Sequence, residues 1–140
     1  LETKERRFAE LARKPKLFPD AERALRACRE QGLRVGLVTG TSRGEWERIF
    51  PPELRELLDA SLTGDEVLRG KPNPEPFMAA AAQLRLAPQQ CVAIENAPYG
   101  IRSAKTAGCR VVAVRSYLDD ADLGEAELIV DDLAAVIALL

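Results

Sequence analysis

"VAIENAPYGIRSAKTAG", Val92 to Gly108, is the stretch that decides the fold. The apolar run "CVAIE" reads as a strand, and "PYGIRSAKTAG" reads as a helix with Pro98 in its first turn and Gly108 just past its end. Proline suits the first turn because the N–H it lacks has no partner there, and glycine suits the exit because it accepts positive φ. A strand running directly into a helix is half of a βαβ unit, and the flanking sequence keeps the same rhythm.

Upstream, Glu75 to Leu84 reads as a helix, residues near Ser61 as a weak short strand, and Pro52 to Asp59 as a helix. Before them "LRVGLVT", Leu33 to Thr39, is short, apolar and β-branched. Ala21 to Gln31 alternates apolar and charged residues at a 3.6 period and stops at Gly32, a C′ glycine. Downstream, "RVVAV" and "ELIV" are strands, and Leu133 to Leu140 closes with a helix that Asp131 or Asp132 can cap. Helices alternating with near-continuous apolar strands specify an α/β fold with a mostly parallel sheet. Leu1 to Arg13 is charged, with Phe8, Leu11 and Ala12 at helical spacing, and "KPKLFPD" breaks that pattern with two prolines. A short helix and linker (1–17) are therefore expected ahead of a main body (18–140).

At 140 residues and 46% hydrophobic, the chain suits one domain with a substantial core. Twenty Lys and Arg against twenty-two Asp and Glu leave a formal charge of -2, with the basic residues dispersed, which disfavours nucleic acid as a partner. No apolar run approaches the ~20 residues of a membrane span, and there is no signal-peptide pattern. Three cysteines, Cys28, Cys91 and Cys109, form no CxxC pair and read as buried thiols of a reducing compartment, hence a cytoplasmic protein. Histidine is absent, which excludes Ser-His and Cys-His nucleophiles and His-based metal sites within this chain. The first residue is Leu1 rather than methionine, so a fragment of a longer parent is one expectation.

In an open parallel sheet, ligands bind beyond the carboxyl ends of the strands. One strand ends in Thr39 and continues into "GTSR", offering the hydroxyls of Thr39 and Thr41 and a backbone N–H at Gly40 that a small anion can approach. Another ends in Glu95 and Asn96. Between them "RGKPNPEPF", Arg69 to Phe77, braces Lys71 with Pro72, Pro74 and Pro76, which forbid a strand and delay the helix. Taken singly, the threonine is a turn former, the lysine a solvated side chain and Asn96 an N-cap. Their order at successive strand ends suits a phosphate with Mg²⁺, because phosphoryl transfer requires the charge on its oxygens to be neutralised in place.

That ordered set resembles the haloacid dehalogenase superfamily, in the helical-cap branch of β-phosphoglucomutase-like and phosphoglycolate phosphatase-like proteins. "GLVTGTS" is similar to the second family motif, "GKPNPEPF" to the third, whose Lys-Pro-x-Pro pattern is specific, and "VAIENAPYGIRSAKTAG" to the fourth. The resemblance implies a Rossmann-like core with flanking helices, in which Thr39 and Lys71 are catalytic. It implies that Thr39, Gly40, Thr41 and Lys71 bind phosphate, and that Glu95 and Asn96 ligate Mg²⁺. It makes Leu1 to Arg13 the remnant of a helical cap, and the substrate a small phosphorylated metabolite.

Two departures stand out. Asn96 occupies a position that is usually aspartate in the family, so it offers an oxygen without charge. The first family motif, Asp-x-Asp-x-Thr at the end of a leading strand, is missing; "DDADLG", Asp119 to Gly124, lies in a polar run and reads as a loop, and "DASLTGDE" has no second aspartate in register. No nucleophile is assigned. The family's first strand is central, between those ending in Thr39 and Glu95, so its absence exposes two hydrophobic edges. The chain is then expected to pack those edges together or to self-associate.

The expected function is the core of a Mg²⁺-dependent phosphatase or phosphomutase acting through an aspartyl-phosphate. A non-catalytic phosphate-binding or interaction module is the alternative. A flavodoxin-like or response-regulator-like domain does not account for the Lys-Pro-x-Pro loop.

Overall fold

The computed structural model describes Thr3, Arg6 and residues 17–140. Apart from Thr3 and Arg6, the expected cap-remnant helix of Leu1 to Arg13 lies outside the described residues. From Ala21 onward the elements are α1 (Ala21–Glu30), β1 (Gly36–Val38), α2 (Arg43–Ile49), α3 (Pro52–Arg55), β2 (Ala60–Leu62), α4 (Glu75–Gln83), β3 (Val92–Glu95), α5 (Pro98–Ala107), β4 (Arg110–Val114), β5 (Leu128–Val130) and α6 (Leu133–Ile137). Short 3₁₀ turns occupy Gly64–Glu66 and Pro88–Gln90.

Local chemistry sets these boundaries. Gly32, at φ +73°, ends α1 as a Schellman motif, with the Leu33 and Gly32 N–H groups donating to the Cys28 and Arg29 carbonyls. Gly108, at φ 108°, ends α5, and Pro98 starts it as expected. Asp132, rather than Asp131, caps α6 through the Ala135 N–H at 2.9 Å. Three elements are shorter than the sequence suggests. β1 loses Leu33 to Val35 because the Val35 N–H donates to the Asp59 carboxylate at 2.7 Å instead of to a strand. α3 stops at Arg55, and α6 at Ile137.

All strand pairs are parallel, but the sheet is in two pieces, β1-β2 and β3-β4-β5. The two inner strands, β1 and β3, are not hydrogen-bonded to each other, so the expected packing of these edges into one sheet does not occur. Val92 and Ile94, two residues apart on β3 and so on one face of it, are exposed, at 54% and 41%. Helices join the pieces: α4 packs on β1, β2 and α5, and α5 packs on β3 and β4, while α1 packs on α6.

Phe77 of α4 reaches the main core, where Ala93, Val111 and Ala113 of the strands meet Ile101, Ala104 and Ala107 of α5 and the fully buried Leu123. Each large side chain sealed there contributes roughly 1.5–3 kcal/mol. Leu123 anchors "DDADLG", which forms turns between β4 and β5, in keeping with its reading as a loop. A second cluster gathers Trp46, Phe50 and Leu54 with Leu25, Leu37, Leu57 and Leu58. Val38 faces the first cluster and Leu37 the second, the alternation of a strand covered on both faces.

The cysteines are free, as expected, but only Cys109 is buried; Cys28 and Cys91 are half-buried. Burial pushes the Cys109 thiol up to about 11. Among the described residues no helix is long and apolar enough to cross a membrane.

Candidate active site

Lys71 is the centre of the site. Its Nζ lies 2.6 Å from Glu95 Oε1 and 3.4 Å from the Val38 carbonyl, so one ammonium touches the ends of both inner strands. The pair is shielded, with side-chain exposures of 22% for Lys71 and 9% for Glu95. The Phe77 ring lies below, 5.4 Å from Nζ to its centroid, adding a cation–π contact.

The loop is built to hold that lysine. Asn73 Oδ1 accepts the Glu75 N–H at 3.0 Å at the start of α4, and the Asn73 N–H donates to the Gly70 carbonyl at 3.0 Å. The Glu75 carboxylate turns back to receive the N–H groups of Leu68 and Arg69 at 3.3 and 2.6 Å.

Thr39 immediately follows Val38, the residue whose carbonyl Lys71 contacts. Its Oγ1 lies 3.0 Å from Thr41 Oγ1 and accepts the Thr41 N–H at 3.3 Å, a compact turn with two hydroxyls. Gly40 between them is exposed, with open space where a Cβ would stand. The other side of this turn is braced by Gly64, whose N–H donates to the Thr41 carbonyl at 2.7 Å. A side chain at Gly64 would overlap the Gly40 carbonyl. Thr63, fully buried, has its hydroxyl 2.7 Å from Asp65 Oδ1 and against Glu66. That contact, assisted by Arg43, holds both carboxyls below the usual range.

Glu95 uses its second oxygen to accept the Asn96 N–H at 3.2 Å. Asn96 does not cap α5, as a lone asparagine before a helix would suggest: the N-cap is Ala97, and Asn96 Nδ2 donates to Ser116 Oγ at 3.3 Å. Its Oδ1 and the Glu95 carboxylate are hard oxygen donors on consecutive residues, a donor type that fits Mg²⁺, which takes one or two protein oxygens and keeps waters or phosphate in its other positions. No group of three or more His, Cys, Asp or Glu side chains able to hold a metal occurs among the described residues.

The structure thus brings Lys71, Glu95 and Asn96 together and sets the Thr39–Thr41 turn beside them. Sequence reading missed three supports. Gly100 leaves the space that the Glu95 carboxylate fills, Gly64 admits the close approach to Gly40, and Ser103 reaches Asn73. A glycine inside the α5 pattern was the available signal for the first.

The sequence matches the family described as haloacid dehalogenase-like hydrolase over residues 1–108. The chain belongs to that family. Among haloacid dehalogenase-like relatives, the validoxylamine A 7'-phosphate phosphatase of Streptomyces hygroscopicus subsp. limoneus is 41% identical over 109 residues, covering 76% of this chain and 51% of its own. The crystal structure of CbbY from Rhodobacter sphaeroides in complex with phosphate superposes with a TM-score of 0.76 at 27% identity, covering 95% of this chain and 62% of that one. The β-phosphoglucomutase of Clostridium difficile shares the fold, with a TM-score of 0.72 at 22% identity over 92% of this chain and 57% of its own. The chain therefore spans between half and two thirds of the length of these haloacid dehalogenase-like proteins.

Proposed function

We propose that this chain carries the phosphate-binding half of a Mg²⁺-dependent phosphatase or phosphomutase that acts on a small phosphorylated metabolite through an aspartyl-phosphate. The observation that carries the reading is the single shielded ammonium of Lys71, shared between Glu95 and the Val38 carbonyl beside the Thr39–Thr41 turn. A phosphoryl group set there would receive hydroxyl and N–H donors from Thr39, Gly40 and Thr41 and a full positive charge from Lys71. CbbY with phosphate bound and the validoxylamine A 7'-phosphate phosphatase among the relatives support that substrate class. Glu95 and Asn96 would hold Mg²⁺, which when bound neutralises charge on the phosphoryl oxygens. We assign no nucleophile among the described residues. Free thiols support a reducing, cytoplasmic setting.

The 140-residue chain should bind inorganic phosphate or a hexose phosphate in calorimetry and release no phosphate from esters at any Mg²⁺ concentration. Absence of phosphate binding sinks the site assignment; ester hydrolysis by the chain alone would require a nucleophile within it.

A second reading, a non-catalytic phosphate-binding module derived from such an enzyme, is favoured by the uncharged Asn96. Asn96→Asp separates the two. If Mg²⁺ binding is part of the function, the second carboxylate raises Mg²⁺ affinity about tenfold in calorimetry. If Mg²⁺ affinity does not change, the metal assignment of Glu95 and Asn96 fails.

The open edges of β1 and β3 support self-association of the chain. Light scattering coupled to size exclusion should then give a mass above 15.4 kDa that rises with concentration. A constant monomer mass across the range tested would remove the proposal.

A further inference from the structure

α5 touches both halves of the Lys71–Glu95 pair. Gly100, in its first turn, supplies the space for the Glu95 carboxylate. Three residues on, and therefore on the same helix face, Ser103 is fully buried and its hydroxyl donates to the Asn73 carbonyl at 2.5 Å. Asn73 stands two residues after Lys71. No other hydrogen bond joins residues 70–74 to α5 among the described residues; the Gly70, Glu75 and Leu68–Arg69 bonds described above shape the loop without tying it to this helix.

A serine inside a helix ordinarily bonds back to its own backbone or faces water. Ser103 does neither. Its neighbours on the buried face, Ala104 and Ala107, are alanines, the residue that a packed helix position favours. The hydroxyl is thus the one polar group that α5 spends on this packed face, and it lands on the lysine loop.

We infer that Ser103 is a positioning residue for the phosphate site. Its hydrogen bond fixes the loop carrying Lys71 to the helix that seats Glu95, and so sets how far the ammonium reaches. The consequence for ligand binding rests on the reading of Lys71 as the phosphate-facing cation; the consequence for Lys71 geometry does not.

Two measurements on the 140-residue chain test it. The first is the affinity for inorganic phosphate, by calorimetry, in the wild type, Ser103→Ala, Lys71→Ala and the double variant. Ser103→Ala should weaken binding about tenfold, the effect of one ordinary hydrogen bond, and should cost nothing further once Lys71 is already alanine. An equal loss in both backgrounds makes Ser103 a structural residue only and overturns the inference. The second is the NMR signal of the Lys71 ε-methylene without phosphate, assigned by its disappearance in Lys71→Ala. It should shift in Ser103→Ala while the signal of Lys105, also on α5, stays; an unmoved Lys71 signal overturns the inference. If Lys71→Ala leaves phosphate affinity unchanged, the phosphate reading falls, and the NMR comparison alone decides the positioning role. Should Ser103→Ala fail to fold, Ser103→Cys, similar in size and a weak donor, is subject to the same criteria.

Discussion

Lys71→Ala is expected to lower the phosphate affinity of this chain by about 10- to 100-fold, the range for losing a hydrogen bond to a charged group. The same substitution leaves the Glu95 carboxylate, 9% exposed, without its cation. Breaking a buried pair by removing one partner costs about 3–5 kcal/mol; with Lys71 22% exposed, about 2 kcal/mol is the reasonable figure here. These two losses separate experimentally. Adding Glu95→Gln to Lys71→Ala removes the stranded charge and should recover much of the urea midpoint, yet phosphate affinity should stay low. Recovery of both would mean that Lys71 acts on phosphate only through folding. In the phosphatase or phosphomutase proposed above, the Lys71→Ala variant should lose turnover, and full retained activity would end the proposed catalytic role of Lys71.

The second large effect is expected from a change that ordinarily stabilises a helix. Gly100→Ala gains about 1 kcal/mol of helix propensity. Its new methyl would occupy the place of the Glu95 carboxylate, which is the far end of a side chain and can swing aside without moving backbone. The strain therefore falls on the site, not the fold. We expect a melting temperature within a few degrees of wild type and a loss of about a hundredfold in turnover of the proposed phosphatase or phosphomutase, the scale associated with misplacing a group of the site by ~1 Å. A large drop in melting temperature with normal turnover would show instead that Gly100 serves packing.

These two residues also illustrate what the sequence made readable. Lys71 was conspicuous because three prolines and an asparagine surround it, and proline restricts backbone regardless of tertiary context. The ends of α1, α4 and α5 were readable for the same reason, since glycine and proline act locally. β1 was not, because Asp59, far along the chain, intercepts the Val35 N–H. Gly100 was visible only as an oddity inside a helix, since its purpose is set by a carboxylate arriving from β3. Ser103 gave no signal: a serine in a helix is unremarkable until the loop it grips is in place. Strand ends could be matched to site residues, and the missing central strand placed the two open edges, whereas whether those edges then pair with each other is a long-range property.

Arg43 gives the β1-β2 piece a direction. Its guanidinium donates to Ser61 Oγ at 2.8 Å and to the Ser61 carbonyl at 3.0 Å, and it pairs with Glu66, so a charged side chain is clipped onto the backbone of β2. Charged residues placed on strand margins are a recognised deterrent to unwanted strand addition. On the Gly36–Val38 strand the matching charge is the Lys71 ammonium, 3.4 Å from the Val38 carbonyl, so this half of the molecule is polarised: an arginine is spent on holding one strand's backbone, and a lysine that also faces the candidate site meets the end of the other.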